Sequence, residues 1–286
     1  MAGEQMRSAI HAQPEWLRAV PTGRRLPDGA RVVATGCGTS FHAALTTGNA
    51  VQALDAVLAP PEADVLLVVS HEGDTPLTLE DARVFEGEKW LVTGKADSPL
   101  GELCEEVVVA TPEVEQSWCH TASYTCAVAA LAALRGEDVA WLPDAVADSL
   151  DEPVDASDAP RWLVAGAANT LPTAREAVLK LREGAFAAAE AHHTEQLLHG
   201  HLAAVDEQVR CFVLDGEGRA AERARDAVAA LRELGCEVEL VPTVHPVVDI
   251  VRFQLLTLAL AETRGVDPDR IRRDDERWAR ARAVYP

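Results

Sequence analysis

Long apolar runs and paired cysteines are both missing from this chain of 286 residues. No run approaches the roughly 20 apolar residues that a bilayer-spanning helix needs, so we expect no membrane span and no membrane partner. The N-terminal stretch is polar and amphipathic, unlike a secretory signal, and a cytoplasmic location is expected. The six cysteines form no CxxC pair, which argues against a zinc ribbon and against a dense disulfide framework.

Positive charge is also scarce. Lys and Arg together number 26 against 46 Asp and Glu, a formal net charge of −20, and lysine occurs only at positions 89, 95 and 180. Nucleic acids are bound by clustered basic side chains, so no nucleic-acid partner is expected. Apolar residues, by contrast, make up 48% of the chain, which is enough for a sizeable buried core.

Short apolar runs alternate with alanine-rich helical patterns along the chain. The runs include "RVVATG", "DVLLVV" and "EEVVVA" in the first half, and "RWLVAG", "VRCFVL" and "CEVELV" in the second. Helical structure is predicted between them, over residues 40–57 and 171–200 among others. Continuous apolar runs between helices are typical of buried parallel strands joined by crossover helices. The pattern therefore predicts an α/β fold.

The chain divides into two similar halves. A polar, acidic and proline-containing stretch near residues 135–160 has the composition of a linker. The segments "RVVATGCGTS" from residue 31 and "RWLVAGAANT" from residue 161 open the halves in the same way. We predict two related α/β domains, residues 1–150 and 151–286. Ligands of such open sheets bind outside the carboxyl ends of the strands.

Two turns in the first half combine glycine with hydroxyl groups. Thr39 and Ser40 follow the first strand, and Ser70 and Thr75 follow the second apolar strand. Backbone N–H groups at the start of the next helix can bind a small anion, although an ordinary helix cap uses the same residues. Two such turns suggest a shared pocket for an anion or for sugar hydroxyls.

Four segments resemble the sugar isomerase (SIS) domain family. They are "GCGTSFHAA" (36–44), "VVSHEGDT" (68–75), "EQSWCHTASYT" (115–125) and the helix and HG loop of residues 174–206. The resemblance covers nearly the whole chain from residue 31. It implies two tandem SIS-type three-layer αβα domains with parallel sheets in flavodoxin-like topology. The first domain would recognise the sugar and its phosphate, and the second would carry the catalytic helix, the HG loop and the tail.

The resemblance also implies roles for particular residues. Glu183 matches the base that moves a proton between C1 and C2 of an open-chain sugar, a task that requires a shielded carboxylate near the C–H bond. His199 matches the histidine that assists ring opening from the neighbouring subunit, which implies a homodimer with shared active sites. Without the resemblance, Glu183 and His199 would be interpreted as ordinary surface or structural residues. The implied substrate-binding residues are Thr39, Ser40, Ser70, His71, Glu72, Thr75, Glu176 and Lys180.

Other readings of these residues stay open. Glu176 and Lys180 lie four residues apart on one helix face and could simply pair with each other. His192, His193 and His201 lie near His199, but surface or packing roles are expected for them rather than a metal site. We expect neither a metal nor an organic cofactor.

Glu72 departs from the family pattern, which has a serine-rich phosphate loop at this place. A carboxylate within ~4 Å of a phosphate dianion costs on the order of a few kcal/mol. Glu72 could point away while the hydroxyl groups hold a phosphate, or it could bind an unphosphorylated or amino-bearing sugar. In a third reading, protonated His71 and His120 offset its charge.

The expected function is that of a sugar isomerase or deglycase, with a phosphosugar as the first choice of substrate. The tail has no lysine, so it cannot form a Schiff base with a sugar, and Ala122 stands where the family often has lysine. One alternative is a regulatory sugar-phosphate sensor without catalysis. Another is an aminotransferase half that needs a separate source of ammonia, since no glutaminase domain is evident in this sequence.

Overall fold

Two parallel sheets organise the chain in a computed structural model, which describes residues 2–285. The first sheet contains β1 (Val32–Gly36), β2 (Ala50–Gln52), β3 (Val65–Val69), β4 (Glu88–Thr93) and β5 (Glu106–Val109) in the order β2-β1-β3-β4-β5. The second contains β6 (Arg161–Gly166), β7 (Ala189–His193), β8 (Val209–Leu214) and β9 (Glu237–Val241) in the order β7-β6-β8-β9. The second sheet repeats the order of the first with one strand fewer, and the predicted parallel, flavodoxin-like α/β fold is confirmed.

Helices flank both sheets. Those of the first half are α1 (Glu4–Arg18), α2 (Thr39–Leu45), α3 (Ala53–Leu58), α4 (Pro76–Val84), α5 (Pro99–Leu103), α6 (Ala122–Leu134) and α7 (Leu142–Leu150). Those of the second half are α8 (Leu171–Gly184), α9 (Thr194–Leu198), α10 (Arg219–Glu233), α11 (Pro246–Asp249), α12 (Val251–Arg264) and α13 (Glu276–Arg282). None of the helices within residues 2–285 has the length and apolar character to cross a bilayer.

The largest core joins the two sheets. All residues of α6 are buried, as expected for a helix that is apolar on every side. Side chains from β1, β3 and α6 belong to the same apolar cluster as Trp162, Phe212 and Phe253 of the second half. Helix α7 packs against both α1 and α12, so the two halves also share a helical layer. The domain boundary at residue 150 stays a prediction.

Two predicted helical stretches contain a strand. Residues 50–52 form β2 inside the stretch 40–57, and residues 189–193 form β7 inside the stretch 171–200. Both are edge strands that are rich in alanine or polar residues, and their local propensity favours a helix. Pairing with β1 and β6 outweighs that propensity, so the helical prediction was wrong at these two places.

Two aspartates anchor the tail to the first helix. The N–H groups of Gln5 and Met6 donate to the carboxylate of Asp269, over 3.0 Å and 2.7 Å, and the N–H of Gly3 donates to Asp267 over 3.1 Å. The first N–H groups of a helix have no partner within the helix, and the helix dipole favours negative charge there. These carboxylates therefore cap α1 from a position more than 260 residues away in the chain.

Replacing the buried capping carboxylate is expected to destabilise the protein. Asp269→Ala leaves two N–H groups of α1 without their acceptor, and we expect a loss of about 1–2 kcal/mol in the free energy of unfolding, measured by chemical denaturation. Asp274→Ala is the control, because Asp274 pairs only with exposed Arg270 and should change stability by less than about 0.5 kcal/mol. Equal stabilities of the two variants would contradict the capping role.

Candidate active site

A cavity of about 490 Å³ lies at the carboxyl ends of the first sheet. It is bounded by the turn after β1, the loop of residues 70–75 after β3, the end of β4 and the segment that leads into α6. The end of α8 and the tail complete it from the second half of the chain. The predicted site residues that line the cavity are Thr39, Ser40, Ser70, His71, Glu72, Thr75 and Glu183.

The 70–75 loop is held in one conformation by Gly73. This glycine has a φ of 71°, in the left-handed region, and its N–H donates to the Oγ of Ser70 over 3.2 Å. A Cβ atom here would lie 2.2 Å from the Oγ of Ser98, so no other residue fits without rearrangement. In this conformation Glu72 lines the cavity. This position favours the reading in which Glu72 contacts the sugar, which stays a prediction.

His71 belongs to the same loop, and its ring contacts the segment that leads into α6. Its Nε2 accepts the backbone N–H of Glu115 over 3.0 Å, and its ring meets that of His120 edge to face at 5.2 Å. Burial, with the neighbouring His120 ring, lowers the pKa of His71 to about 4. The ring is neutral near pH 7, so it cannot offset the charge of Glu72.

The carboxylate of Glu115 organises the start of α6. It accepts the N–H and hydroxyl of Thr121, each over 2.8 Å, and the N–H of Ser123 over 2.8 Å. Burial alone would raise the pKa of Glu115, but its interactions with His120 and Ser123 lower it to about 2. An ionised, buried carboxylate thus takes the place of a side-chain cap at this helix.

A cluster of polar side chains extends from the cavity wall into the interior. It consists of Thr39 and Glu183, which line the cavity, and of His42, Glu176 and Lys180 behind them. The Lys180 Nζ is 2.8 Å from Glu183 Oε2, 3.3 Å from Glu176 Oε1 and 3.2 Å from the Thr39 hydroxyl. Thr39 in turn donates to Glu176 over 3.1 Å, and the His42 Nδ1 lies 2.8 Å from the other oxygen of Glu176. The lysine and Glu176 are fully buried, whereas the Glu183 side chain is 26% exposed.

Lys180 and Glu176 stay charged in this cluster despite their burial. Desolvation alone would lower the pKa of Lys180, but the Glu176 and Glu183 carboxylates raise it well above its usual value. Burial alone would raise the pKa of Glu176, but Lys180 and His42 bring it below its usual value. Glu176 and Lys180 thus do not line the cavity, and they reach it only through Thr39 and Glu183.

The predicted ring-opening residue lies apart from this cavity. His199 is 71% exposed, and its Nε2 is 2.7 Å from Glu195. The rings of His192 and His201 are 4.5 Å apart in a second, smaller cavity beside β6 and β7. Within residues 2–285, no three His, Cys, Asp or Glu side chains are grouped so that they could hold a metal ion.

Several residues of the cavity wall were not predicted from the sequence. Asp74, Trp118 and Tyr124 line it, and so does Arg273 from the tail. Asp74 and Trp118 occur within segments that had already been singled out, so their neighbourhood was a usable signal. Arg273 belongs to a run of arginines in which sequence gives no means of choosing one, because the path of the tail depends on its anchor to α1.

The buried histidine predicts a pH dependence of stability. The pKa of His71 is about 4 in the folded protein against 6.5 for a free side chain, so the folded state binds fewer protons between these values. The contribution of His71 to the free energy of unfolding should be fully present above pH 6.5. It should fall by up to about 3 kcal/mol as the pH decreases to 4. His71→Gln should flatten this decline in urea unfolding curves, whereas replacing exposed His11 by Gln should not. Identical pH curves for the two variants would exclude His71 as the cause.

Comparisons with known proteins agree with the fold. No protein-family model matches the chain. It is 25% identical to the glutamine–fructose-6-phosphate aminotransferase [isomerizing] of Chlorobaculum tepidum, over 93% of this chain but only 57% of that protein. The chain thus spans little more than half the length of this curated relative.

Solved structures of sugar-phosphate enzymes are also similar to this chain. The C-terminal domain of glucosamine-fructose-6-phosphate aminotransferase from Francisella tularensis superposes with a TM-score of 0.79 at 19% identity, covering 93% of this chain and 98% of that one. Tagatose-6-phosphate ketose/aldose isomerase from Escherichia coli gives 0.76 at 18% identity, covering 93% and 95%. The predicted resemblance is confirmed: the chain is similar in sequence to the aminotransferases and has the fold of sugar isomerase (SIS) proteins.

Proposed function

We propose that this chain is a sugar-phosphate isomerase that transfers a proton between C1 and C2 of an open-chain sugar, with Glu183 as the base. The observation that carries the proposal is the position of Glu183, whose carboxylate lines the cavity while Lys180 holds its Oε2 from behind. The names of the relatives support a sugar phosphate as substrate, since they act on fructose 6-phosphate or on tagatose 6-phosphate.

The geometry suits proton transfer by a carboxylate. Glu183 Oε2 is occupied by Lys180, and within residues 2–285 the other oxygen, Oε1, has no hydrogen-bond partner. That oxygen would take the proton from C2 of an aldose to give an enediolate. The hydroxyl proton of the enediolate would pass from O2 to O1, and Glu183 would return its proton to C1 to give the ketose. Lys180 has no free hydrogen for the substrate, because its three N–H bonds are directed at Glu176, Glu183 and Thr39. Its role would be to position the base.

Loss of the carboxylate should abolish the proton transfer. Glu183→Gln keeps the shape of the side chain but removes the base, and we expect hydrogen–deuterium exchange at C1 of fructose 6-phosphate, or at C2 of its aldose isomer, to fall by about 10²- to 10⁴-fold. The control, Glu233→Gln, alters an exposed residue at the end of α10 and should exchange at the unmodified rate. Undiminished exchange in Glu183→Gln would refute the assignment. Sugar-phosphate binding without exchange in the unmodified protein would favour a sensor.

We further propose that His199 assists ring opening in the site of a second copy of the chain. Its exposure and its distance from the cavity of its own chain support a role across a dimer interface.

Mixing two inactive variants tests this arrangement. Glu183→Gln and His199→Gln should each be inactive alone, but a mixed dimer would contain one site with both original residues. Random exchange of subunits should then restore about a quarter of the original isomerase activity. No recovery after confirmed subunit exchange would show that both residues act within one chain.

A further inference from the structure

The tail, residues 266–275, contributes one wall of the cavity. Ile271 and Arg273 line it, and the preceding Asp269 fixes the segment on α1. The carbonyl of Asp269 also accepts the N–H of Trp118 over 3.1 Å, which ties the tail to the opposite wall. Ile271 and Arg272 have φ values of 40° and 59°, so the backbone turns sharply just before Arg273.

The guanidinium of Arg273 is the least satisfied of the tail arginines at the cavity. Its central carbon lies 3.5 Å from the centre of the Trp118 ring, a cation–π contact. Arg272 lies between the rings of Phe186 and Trp278, at 4.1 Å and 4.2 Å, and Arg270 pairs with Asp274. Within residues 2–285, neither Arg272 nor Arg273 has an ion pair or a side-chain hydrogen bond, but Arg273 has a single ring contact and lines the cavity. Its N–H donors remain available to a ligand.

The charges around the cavity make this arginine distinctive. Glu72, Asp74 and Glu183 all line the cavity, and Arg273 is the only Lys or Arg among the lining residues that the structure describes. Glu72 and Glu183 are close enough to Arg273 to interact electrostatically with it. A phosphate in the 70–75 loop would meet the carboxylates of Glu72 and Asp74, and among the described lining residues Arg273 is the one Lys or Arg that could compensate them.

Not every hydroxyl group of the turn after β1 is free to bind an anion. The single hydrogen of the Thr39 hydroxyl is directed at Glu176, and its oxygen accepts from Lys180. Thr39 is thus committed to the buried cluster and has no hydrogen left to donate to an anion.

We propose that Arg273 binds the phosphate group of the substrate at the mouth of the cavity, where the Trp118 ring supports its guanidinium. This inference rests on the proposed sugar-phosphate function and adds the residue that selects for the phosphate. Arg273 is exposed, so a bound phosphate keeps part of its hydration, and Glu72 is left to accept hydrogen bonds from sugar hydroxyls. The tail takes part in substrate selection through a planar cation that can donate two hydrogen bonds to one phosphate.

Calorimetric titration of the full chain with inorganic phosphate, fructose 6-phosphate and fructose tests the proposal. Arg273→Gln should weaken binding of inorganic phosphate and fructose 6-phosphate by about 10- to 100-fold and leave fructose binding within about twofold. Arg270→Gln removes the same charge from the same tail, but its guanidinium pairs with Asp274, so it should bind all three ligands normally.

Two further variants separate charge from shape. Arg273→Lys keeps the charge but loses the planar stack on Trp118 and the paired donors, so it should bind fructose 6-phosphate with intermediate affinity. Glu72→Gln removes a repulsive carboxylate and should strengthen binding of fructose 6-phosphate by about 3- to 10-fold, with no such gain for fructose.

Three results would overturn the inference. They are normal binding of fructose 6-phosphate by Arg273→Gln, an equal loss of fructose binding in that variant, and no binding of phosphate or fructose 6-phosphate by the unmodified protein. Hydrogen–deuterium exchange at C1 of fructose 6-phosphate, measured on the same samples, keeps the two proposals distinct. Binding that depends on Arg273 without exchange in the unmodified protein refutes only the isomerase function. Exchange together with normal binding by Arg273→Gln refutes only the role of Arg273.

Discussion

The buried ion pair between Lys180 and the carboxylates of Glu176 and Glu183 is the interaction on which the site depends. It places a full positive charge in a position without solvent, where an unpaired ammonium would be strongly destabilising. Because Thr39 bonds to both Lys180 and Glu176, the same cluster joins α8 of the second half to α2 of the first. The cluster thus specifies how the two halves meet and, at the same point, fixes the orientation of Glu183 at the cavity wall.

The charged and neutral side chains around the cavity lie at different distances from this cluster. The deep wall holds the ionised groups of this cluster, which are paired with one another, and the neutral His71 lies beside His120 and the backbone of Glu115. The outer wall carries the carboxylates of Glu72 and Asp74 and the guanidinium of Arg273. In the proposed function, reaction and recognition therefore belong to different regions: the proposed base is held by Lys180 inside, whereas the charged groups proposed to select the substrate lie closer to solvent. Substitutions in the outer wall would then alter the preferred substrate without disturbing the proposed base.

Much of this arrangement was predictable from the sequence. Apolar runs such as "DVLLVV" indicated buried parallel strands, since only strands covered on both faces are apolar at successive positions. The "SHEGDT" turn and the glutamate of α8 were assigned to one pocket by resemblance, and the structure brings Ser70, Glu72 and Glu183 to the same cavity. The strands β2 and β7 were missed because their residues favour helices locally, and their pairing partners are distant in the chain.

The order of apolar and polar residues was enough to predict the fold class, and composition gave the acidic net charge. The candidate base came from the resemblance to the SIS family, which rests on short motifs. The sequence was not enough to show that Glu72 lines the cavity, that Glu176 and Lys180 lie behind it, or that Arg273 comes from the tail to join it. Those facts arise from long-range contacts: Gly73 against Ser98, Thr39 against Lys180, and Asp269 against the start of α1. A side chain's direction and partners depend on segments that meet only after folding. The tertiary structure therefore determines which of the many acidic and basic residues line the cavity.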